Sequence, residues 1–105
     1  MIKVRFFGTE PIYGFHITGH SDMNPDGPEI LCAAVSSVAY MTANTVTEVI
    51  GLDPELDEKD GNMALKVKTE SEAESCRVLF DGMRLHLSTL AQDYPKYLKV
   101  TYSEV

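Results

Sequence analysis

Four stretches of the chain alternate apolar and polar side chains with the period of two that a half-buried strand shows. Their apolar positions are Ile2, Val4 and Phe6; Tyr13, Phe15 and Ile17; Met63, Leu65 and Val67; and Leu98, Val100 and Tyr102. A turn at residues 8–11 separates the first two stretches, which are therefore predicted to pair as an antiparallel hairpin. Asp60-Gly61 is a strong hairpin signal before the third stretch, so Glu55–Lys59 is predicted as a short strand that pairs with it.

Two longer stretches repeat apolar residues at every third or fourth position, the spacing of a helix with one buried face. The first helix is predicted to begin between Pro28 and Cys32 and to end near Ile50, because Gly51 and Pro54 follow. Its predicted buried stripe is Leu31, Val35, Val38, Thr42, Val46 and Val49, widened by Ile30, Ala34 and Met41.

The second helix carries its own start and stop signals. Ser71 and Glu74 form an S-x-x-E capping box, in which each side chain satisfies a free backbone N–H group at the helix start. Pro95 ends the helix. Its predicted stripe is Cys76, Leu79, Phe80, Met83, Leu87, Leu90 and Tyr94.

The elements follow one another in the order ββαββαβ, and 105 residues with 44% apolar side chains suit one hydrophobic core. Two helices cover only one face of so small a sheet. We therefore predict a single domain over residues 1–105 with an α/β fold of the α+β type. It is a two-layer sandwich: a four- to five-stranded, mainly antiparallel or mixed sheet with both helices on one face. The other face carries Lys3, Arg5, His16, Lys66 and Lys99, either as a solvated face or as a partner surface.

The formal net charge is −7, from sixteen acidic and nine basic residues. This balance argues against non-specific binding of nucleic acid and favours a basic partner, although acidity also serves solubility alone. No apolar run approaches the ~18 residues of a membrane span, and the N-terminus MIKVRFF lacks the apolar core of a signal peptide. We expect a cytoplasmic protein that contacts neither a membrane nor, directly, nucleic acid.

The two cysteines, Cys32 and Cys76, lie far apart and belong to no CxxC pair or Cys/His metal spacing. No structural disulfide, metal site or other cofactor is expected, and reduced thiols suit a reducing compartment. Cys76 falls on the apolar stripe of the second helix, where a cysteine acts as a small apolar residue.

Candidate chemistry is concentrated in GHSDMNPDGPEILCAAVSS, residues 19–37. His20 ends a predicted strand and Cys32 begins a predicted helix, with a loop rich in proline and glycine between them. A thiol becomes nucleophilic when a nearby imidazole or the positive end of a helix favours loss of its proton. His20 and Cys32 are therefore predicted to be a catalytic base and nucleophile, against the simpler interpretation that both only pack. Backbone N–H groups of Cys32 and Ala33, or of the Gly27 region, could form the oxyanion site.

Several further side chains could support this pair. Glu29 could orient the imidazole, or it could cap the helix together with Asp26. Asp22 and Asp26 compete for the orienting role from the same loop. Ser36, one turn after Cys32, could hold the cysteine or the histidine, or it could bond only to its own i−4 carbonyl.

The spacing of Gly19-His20 from the run ILCAAVS at residues 30–36 is a fairly specific pattern. It resembles the bacterial ribosomal-processing cysteine proteases of Prp type, and weaker agreement at residues 59–61 and 94–97 extends the similarity close to full length. Ser36 matches the serine of the family's CAAVS motif. The family usually has Asp three residues before the cysteine, where this chain has Glu29.

The resemblance implies a narrow substrate, the N-terminal extension of ribosomal protein L27, cut just after a pair of phenylalanines. It also implies a homodimer and a loop before the cysteine that orders around the bound peptide. We therefore predict a cytoplasmic cysteine endopeptidase that uses a Cys32–His20 dyad through a thioester acyl-enzyme. The alternatives are a non-catalytic module that binds a ribosomal protein or the assembling ribosome, and a redox-responsive protein in which Cys32 is oxidised reversibly.

Overall fold

The computed structural model describes residues 1–19 and 29–105, so the predictions for His20, Asp22 and Asp26 fall outside the described residues. The strands are β1 (Ile2–Phe7), β2 (Gly14–Thr18), β3 (Glu55–Lys59), β4 (Asn62–Lys66) and β5 (Leu98–Ser103). The helices are α1 (Glu29–Asn44), continued by a π-helical turn (Thr45–Ile50), then α2 (Glu70–Ser75) and α3 (Arg77–Asp93). The predicted order is confirmed, with the second predicted helix present as two consecutive helices.

The five described strands form one mixed sheet in the order β3-β4-β2-β1-β5. β1 and β2 pair as the predicted antiparallel hairpin, with Val4 opposite Ile17 and Phe6 opposite Phe15. β3 and β4 form the second predicted hairpin across residues 60–61. A helical connection through α2 and α3 returns the chain to the sheet, which allows β5 to lie parallel to β1.

Most apolar positions of the alternating stretches face the helices and form the core, although Tyr102 on the edge strand β5 is 46% exposed. Val4, Phe6, Phe15, Ile17 and Leu65 have no exposed surface. Burial of these side chains holds the strand register, since a slip of one residue would turn them towards solvent. The predicted two-layer α+β sandwich is confirmed, and the polar positions of the strands form its opposite face.

The buried stripe of α1 is narrower than predicted and rotated about the helix axis. Ile30, Met41 and Val49, which the predicted stripe included, are 72%, 53% and 78% exposed. The buried side chains of α1 and its π turn are Leu31, Cys32, Val35, Ala39, Thr42, Ala43 and Val46. The prediction is wrong for the three exposed positions. The small side chains of Ala39 and Ala43 let their side of the helix approach the core closely.

The π turn ends at Gly51, as predicted, with a φ of +83° that favours glycine. By length and composition alone, the segment Glu29–Ile50 is long and apolar enough to cross a membrane. Within the fold, however, Leu31, Val35 and Val46 are at most 1% exposed. The expectation that no stretch of the chain has this length and composition is therefore wrong, although the buried side of the helix is part of the core.

The start of α2 lies two residues earlier than the capping box predicted at Ser71. The hydroxyl of Thr69 accepts a hydrogen bond from the Glu72 backbone N–H at 3.1 Å. The Glu72 carboxylate in turn accepts one from the Lys68 backbone N–H at 2.9 Å. The prediction of the box is wrong by two positions. The chain after β4 stays hydrogen-bonded to the sheet up to Val67, whose N–H donates to the carbonyl of Tyr13. The helix begins as soon as the chain leaves the sheet.

Candidate active site

Cys32 is the fourth residue of α1 and closes its first turn. Its side chain is 2% exposed and belongs to the core, together with the neighbouring Leu31 and Val35. The partial positive charge of a helix N-terminus acts mainly over the first turn, and it favours a thiolate over a thiol. The helix start at this position favours a thiolate, whereas burial of the side chain opposes one.

Glu29 begins α1, three residues before Cys32, and it is exposed. Side chains three residues apart are neighbours on a helix surface. A carboxylate in the first turn stabilises the helix start, but its negative charge also opposes a thiolate beside it. The exposed position of Glu29 is compatible with helix capping and with orientation of an imidazole, the two alternatives that the sequence left open.

Ser36 lies one helical turn after Cys32 and is half-buried. Residues four apart share a face of a helix, so Ser36 lies on the same face of α1 as Cys32. The hydroxyl therefore lies on the side of α1 that carries the thiol.

β2 leads the chain towards His20 through Gly19. The strand ends at Thr18, and the N–H of Gly19 donates a hydrogen bond to the carbonyl of Gly61 at 2.8 Å. Gly19 has a φ of +77°, in the left-handed region that glycine adopts readily. The sequence pattern singled out Gly19 only as the neighbour of a histidine, and its backbone conformation is the physical reason for a glycine there. His20 and Asp22 themselves lie outside the described residues.

His16 is held on the polar face of the sheet. Its Nε2 lies 2.7 Å from Oδ1 of Asn62, and its Nδ1 lies 3.3 Å from Nη2 of Arg5. An amide oxygen on one side and a guanidinium on the other require a proton on Nε2 and a lone pair on Nδ1. Both ring nitrogens are engaged in these contacts, so His16 has a structural role there.

Cys76 lies between α2 and α3 and has no exposed surface. It also precedes a helix, but burial raises the pKa of its thiol, and the negative charge of Glu72 raises it further. A thiol with a raised pKa stays protonated at neutral pH and is a poor nucleophile. Its surroundings fit the predicted role of an inert core residue.

Neither Cys32 nor Cys76 forms a disulfide. Within residues 1–19 and 29–105, no three His, Cys, Asp or Glu side chains are grouped so that they could hold a metal ion.

Comparison with known proteins decides the class to which this chain belongs. The family model described as cysteine protease Prp matches residues 1–99. The chain belongs to this family. The ribosomal processing cysteine protease Prp of Bacillus subtilis (strain 168) is 30% identical over 95 residues, which cover 86% of this chain and 85% of the relative. The resemblance to Prp and the predicted enzyme class, a cysteine protease, are therefore confirmed.

Solved structures share the fold of this Prp-family chain. The S. aureus ribosomal processing protease Prp, in complex with a substrate peptide, superposes with a TM-score of 0.84 at 20% identity, over 98% of this chain and 100% of that one. The same S. aureus protein with a covalently linked product peptide gives a TM-score of 0.80 at 20% identity and the same coverage.

A third structure, SMU.848 from Streptococcus mutans, gives a TM-score of 0.80 at 26% identity, over 100% of this chain and 96% of that one. Together, the three structures support the α+β fold of the Prp family. The individual roles predicted for Cys32, His20, Ser36, Glu29 and Asp22 stay predictions.

Proposed function

We propose that this Prp-family chain cuts the N-terminal extension of ribosomal protein L27, with Cys32 as the nucleophile and His20 as the general base. The observation that carries the proposal is the position of Cys32 in the first turn of α1, twelve residues after His20 in the sequence, with Gly19 at the end of β2. Cys76 is buried as well, but burial and the negative charge of Glu72 raise its pKa. A cysteine protease needs an activated thiol, and these surroundings favour Cys32.

In the proposed reaction, a ring nitrogen of His20 first takes the proton of the Cys32 thiol. The thiolate attacks the carbonyl carbon of the scissile peptide bond, so that a C–S bond forms and negative charge develops on the carbonyl oxygen. Backbone N–H groups near Cys32 stabilise this oxyanion. When the C–N bond breaks, His20 gives its proton to the departing amine, and a thioester remains.

Water completes the proposed cycle. His20 removes a proton from a water molecule, and the resulting hydroxide attacks the thioester carbon. The C–S bond then breaks, which releases the carboxylic acid product and returns Cys32 as a thiolate beside a protonated His20. The product peptide that is covalently linked in the S. aureus Prp structure supports a covalent route of this kind.

Three side chains, two carboxylates and one hydroxyl, are candidates to support the dyad. One carboxylate, that of Glu29 or that of Asp22, orients the imidazole of His20, and the hydroxyl of Ser36 holds the Cys32 side chain from the next turn. Glu29→Gln and Asp22→Asn separate the two carboxylates, because only loss of the orienting one should lower the cleavage rate and shift its pH profile. A Ser36→Ala variant that cleaved at the wild-type rate, with an unchanged pH profile, would remove Ser36 from the site.

The substrate is proposed from the resemblance to the Prp family and not from the shape of a binding pocket. The Bacillus subtilis relative is named for ribosomal processing, which supports a ribosomal-protein substrate. The net charge of −7 supports a basic one, since opposite charges speed the encounter of two proteins. The L27 extension and the cut after two phenylalanines follow from the resemblance. We place the reaction in the cytoplasm, where thiols stay reduced, and fractionation of cells that express a tagged chain tests this.

The homodimer is proposed to form through the exposed side of α1. There the large apolar side chains of Ile30, Tyr40 and Met41 are exposed, with the small residues Ala33 and Ser37 between them. Small residues flanked by larger apolar ones let two helices approach closely. Light scattering should give the mass of two chains, and Met41→Glu should shift it towards one. A wild-type chain that is monomeric at micromolar concentration would contradict the dimer.

Cleavage of a peptide that spans the L27 junction is the decisive test. Mass spectrometry should find the two products with wild-type protein. Cys32→Ala should slow the reaction on the order of 10⁴-fold or more, and His20→Ala by about 10²- to 10⁴-fold. Cys76→Ala is the matched control and should cleave at the wild-type rate.

Each contrary outcome has its own meaning. Cleavage that survived Cys32→Ala would remove Cys32 as the nucleophile. Cleavage of other peptides, but not of the L27 junction, would refute the substrate. Tight binding of the L27 precursor by wild-type protein, with no cleavage under reducing conditions, would favour the non-catalytic binding module.

Alkylation of the folded protein across pH tests the dyad without any substrate. Cys32 should react with iodoacetamide well below the pKa of about 8.5 that is usual for a free thiol, while Cys76 stays unmodified. His20→Ala should slow the reaction of Cys32 near neutral pH. Equal reactivity of the two thiols would argue against an activated Cys32.

A further inference from the structure

The polar face of the sheet concentrates positive charge in a chain that is acidic as a whole. Lys3 and Arg5 lie on β1, Lys66 on β4 and Lys99 on β5, all on the side away from the buried strand positions. Four of the nine basic residues therefore lie on one face of the neighbouring strands β4, β2, β1 and β5, although the net charge of the chain is −7.

These four cations form no ion pair with a carboxylate in the part of the chain that the structure describes. The ion pairs found there use Lys68, Arg77 and Arg84, which lie elsewhere. The strand register also sets Lys3 directly opposite Lys99. Like charges that face each other across a strand pair repel and lower stability. A bound anion would remove this repulsion, so the face is complementary to an anionic ligand.

An aromatic ring on the same face narrows the chemistry of that anion. The guanidinium carbon of Arg5 lies 5.3 Å from the centroid of the Phe7 ring, and Nζ of Lys66 lies 5.4 Å from it. Both cations lie over the ring, and a guanidinium held on an aromatic ring offers planar groups on which a base can stack, with charges for the phosphates beside it. A peptide of acidic residues alone would bind the cations but has no planar group to stack on the ring.

The acidic residues of the chain limit this surface without cancelling it. Glu55 and Asp57 lie on the same face, but at the β3 edge of the sheet, opposite Lys66 and Ala64. The acidic residues of the helix layer lie about 10 Å away through the sheet, and charges at that distance are largely screened at physiological ionic strength. The positive surface therefore extends from β5 to β4 and ends at β3.

We propose that this face binds single-stranded RNA, with Lys3, Arg5, Lys66 and Lys99 on the phosphates and Phe7 under a base. The net charge of the chain makes such binding weak and local, in contrast to the broad non-specific binding that the charge argues against. None of these residues belongs to the proposed protease machinery, so the contact stands independently of it. Where both hold, the RNA of an assembling ribosomal particle would retain the protease close to its substrate.

Fluorescence anisotropy tests the proposal with a labelled oligouridylate of twelve nucleotides and the full-length chain, titrated at several salt concentrations. Four phosphate contacts predict that log K falls with log[salt] with a slope of about −3. A Lys3→Ala, Lys99→Ala double variant should make the slope shallower by about 1.4 and weaken binding roughly tenfold. Arg84→Ala, which removes a cation of α3, is the matched control and should change neither.

Two further variants test the aromatic contact and the acidic edge. Phe7→Leu should weaken binding of the oligouridylate by roughly fivefold or more, because it removes the stacking surface. Neutralising the β3 edge with Glu55→Gln and Asp57→Asn should tighten binding. Circular dichroism verifies that each variant is folded, and Lys99→Gln replaces the double variant if that one unfolds.

Three results would overturn the proposal of RNA binding. The proposal is overturned if wild-type protein does not bind the oligouridylate at 50 mM salt, or if Arg84→Ala weakens binding as much as the double variant does. It is also overturned if a polyglutamate of equal charge binds as tightly as the RNA and Phe7→Leu changes neither affinity. That last pattern would assign the face to an acidic peptide.

Discussion

Gly19 approaches Met1 so closely that no larger residue fits there. A Cβ atom on Gly19 would lie 2.5 Å from the carbonyl oxygen of Met1. The φ of +77° at Gly19 is also one that L-residues rarely adopt. This contact fixes where the chain leaves β2, one residue before His20. The backbone at the N-terminus thereby positions the residue that leads to the proposed base.

Gly19→Ala should therefore lower both stability and cleavage. The strained φ and the clash with Met1 together should reduce the free energy of unfolding by about 2 kcal/mol or more, measured by urea denaturation. Cleavage of the L27 peptide, measured where the variant is still folded, should fall because the path of the chain to His20 changes.

Two other glycines serve as controls for this variant. Gly51 has a φ of +83° but nothing within 4 Å of its added Cβ, so Gly51→Ala should cost only about 1 kcal/mol. Gly82 lies within α3 with open space around it, so Gly82→Ala should stabilise the chain by about 0.5–1 kcal/mol. A Gly19→Ala variant no worse than Gly51→Ala would show that Met1 moves aside and that the coupling is absent.

The sheet could be predicted because its pattern is local. Alternation identified the inward positions of β1, β2, β4 and β5, and Asp60-Gly61 identified the second hairpin. Short-range sequence signals do not determine how a helix is rotated about its own axis. The predicted buried stripe therefore included Ile30, Met41 and Val49, which are exposed in the structure. That rotation depends on how closely Ala39 and Ala43 let the sheet approach, which is a property of the packed state.

Part of the candidate site could also be predicted from local sequence signals, and part could not. The start of α1 shortly before Cys32 could be predicted, because proline and glycine before an apolar repeat mark such a boundary. The role of Gly19 could not, because its constraint is a contact with Met1 that lies eighteen positions away in sequence. The T-x-x-E cap at Thr69 was missed because S-x-x-E two residues later has the same chemistry, and only the end of sheet pairing distinguishes them.

Two hydroxyl deletions distinguish the observed cap of α2 from the one that the sequence favoured. Thr69→Ala should lower the free energy of unfolding by about 1 kcal/mol, because the Glu72 backbone N–H loses its acceptor. Ser71→Ala should change it by less than about 0.5 kcal/mol, since that position is exposed and outside the cap. Urea denaturation of the two variants gives the comparison, and a larger effect at Ser71 would reverse the assignment.

Thr42 is a buried residue at which removal of a polar group should raise stability. Its hydroxyl is fully buried in α1 and has no hydrogen-bond partner among the described residues. A buried polar group without a partner costs roughly 1–3 kcal/mol, and valine has nearly the same shape. Thr42→Val should therefore raise the free energy of unfolding by about 1 kcal/mol, measured by denaturation.

Thr47→Val is the matched control, because the Thr47 hydroxyl donates a hydrogen bond to the Ala43 carbonyl at 3.2 Å. Its removal should leave stability unchanged or lower it by about 0.5 kcal/mol. If Thr42→Val were as destabilising as Thr47→Val, the Thr42 hydroxyl would have to be hydrogen-bonded in solution.

Cys76 should contribute to stability in a way that depends on pH. Cys76→Ala should lower the free energy of unfolding by about 1–2 kcal/mol at pH 7, because it removes a fully buried side chain, and it should leave cleavage unchanged. Burial raises the pKa of this thiol in the folded state above the value of about 8.5 that it has when unfolded. The stabilisation is therefore complete below pH 8.5 and is lost as the pH rises through the raised folded pKa.

The direction in which stability changes with pH follows from how many protons the folded and unfolded chains bind. Above pH 8.5 the unfolded chain has released the proton of Cys76 while the folded chain still holds it, so unfolding is favoured as the pH rises. Cys76→Ala lacks this contribution, while Cys32 and the tyrosines titrate alike in both proteins. The stability difference between wild type and Cys76→Ala, measured by denaturation in reducing buffer, should shrink as the pH rises from 7 to 10. A difference that stayed constant would mean that the thiol ionises equally in both states and is not held in the core.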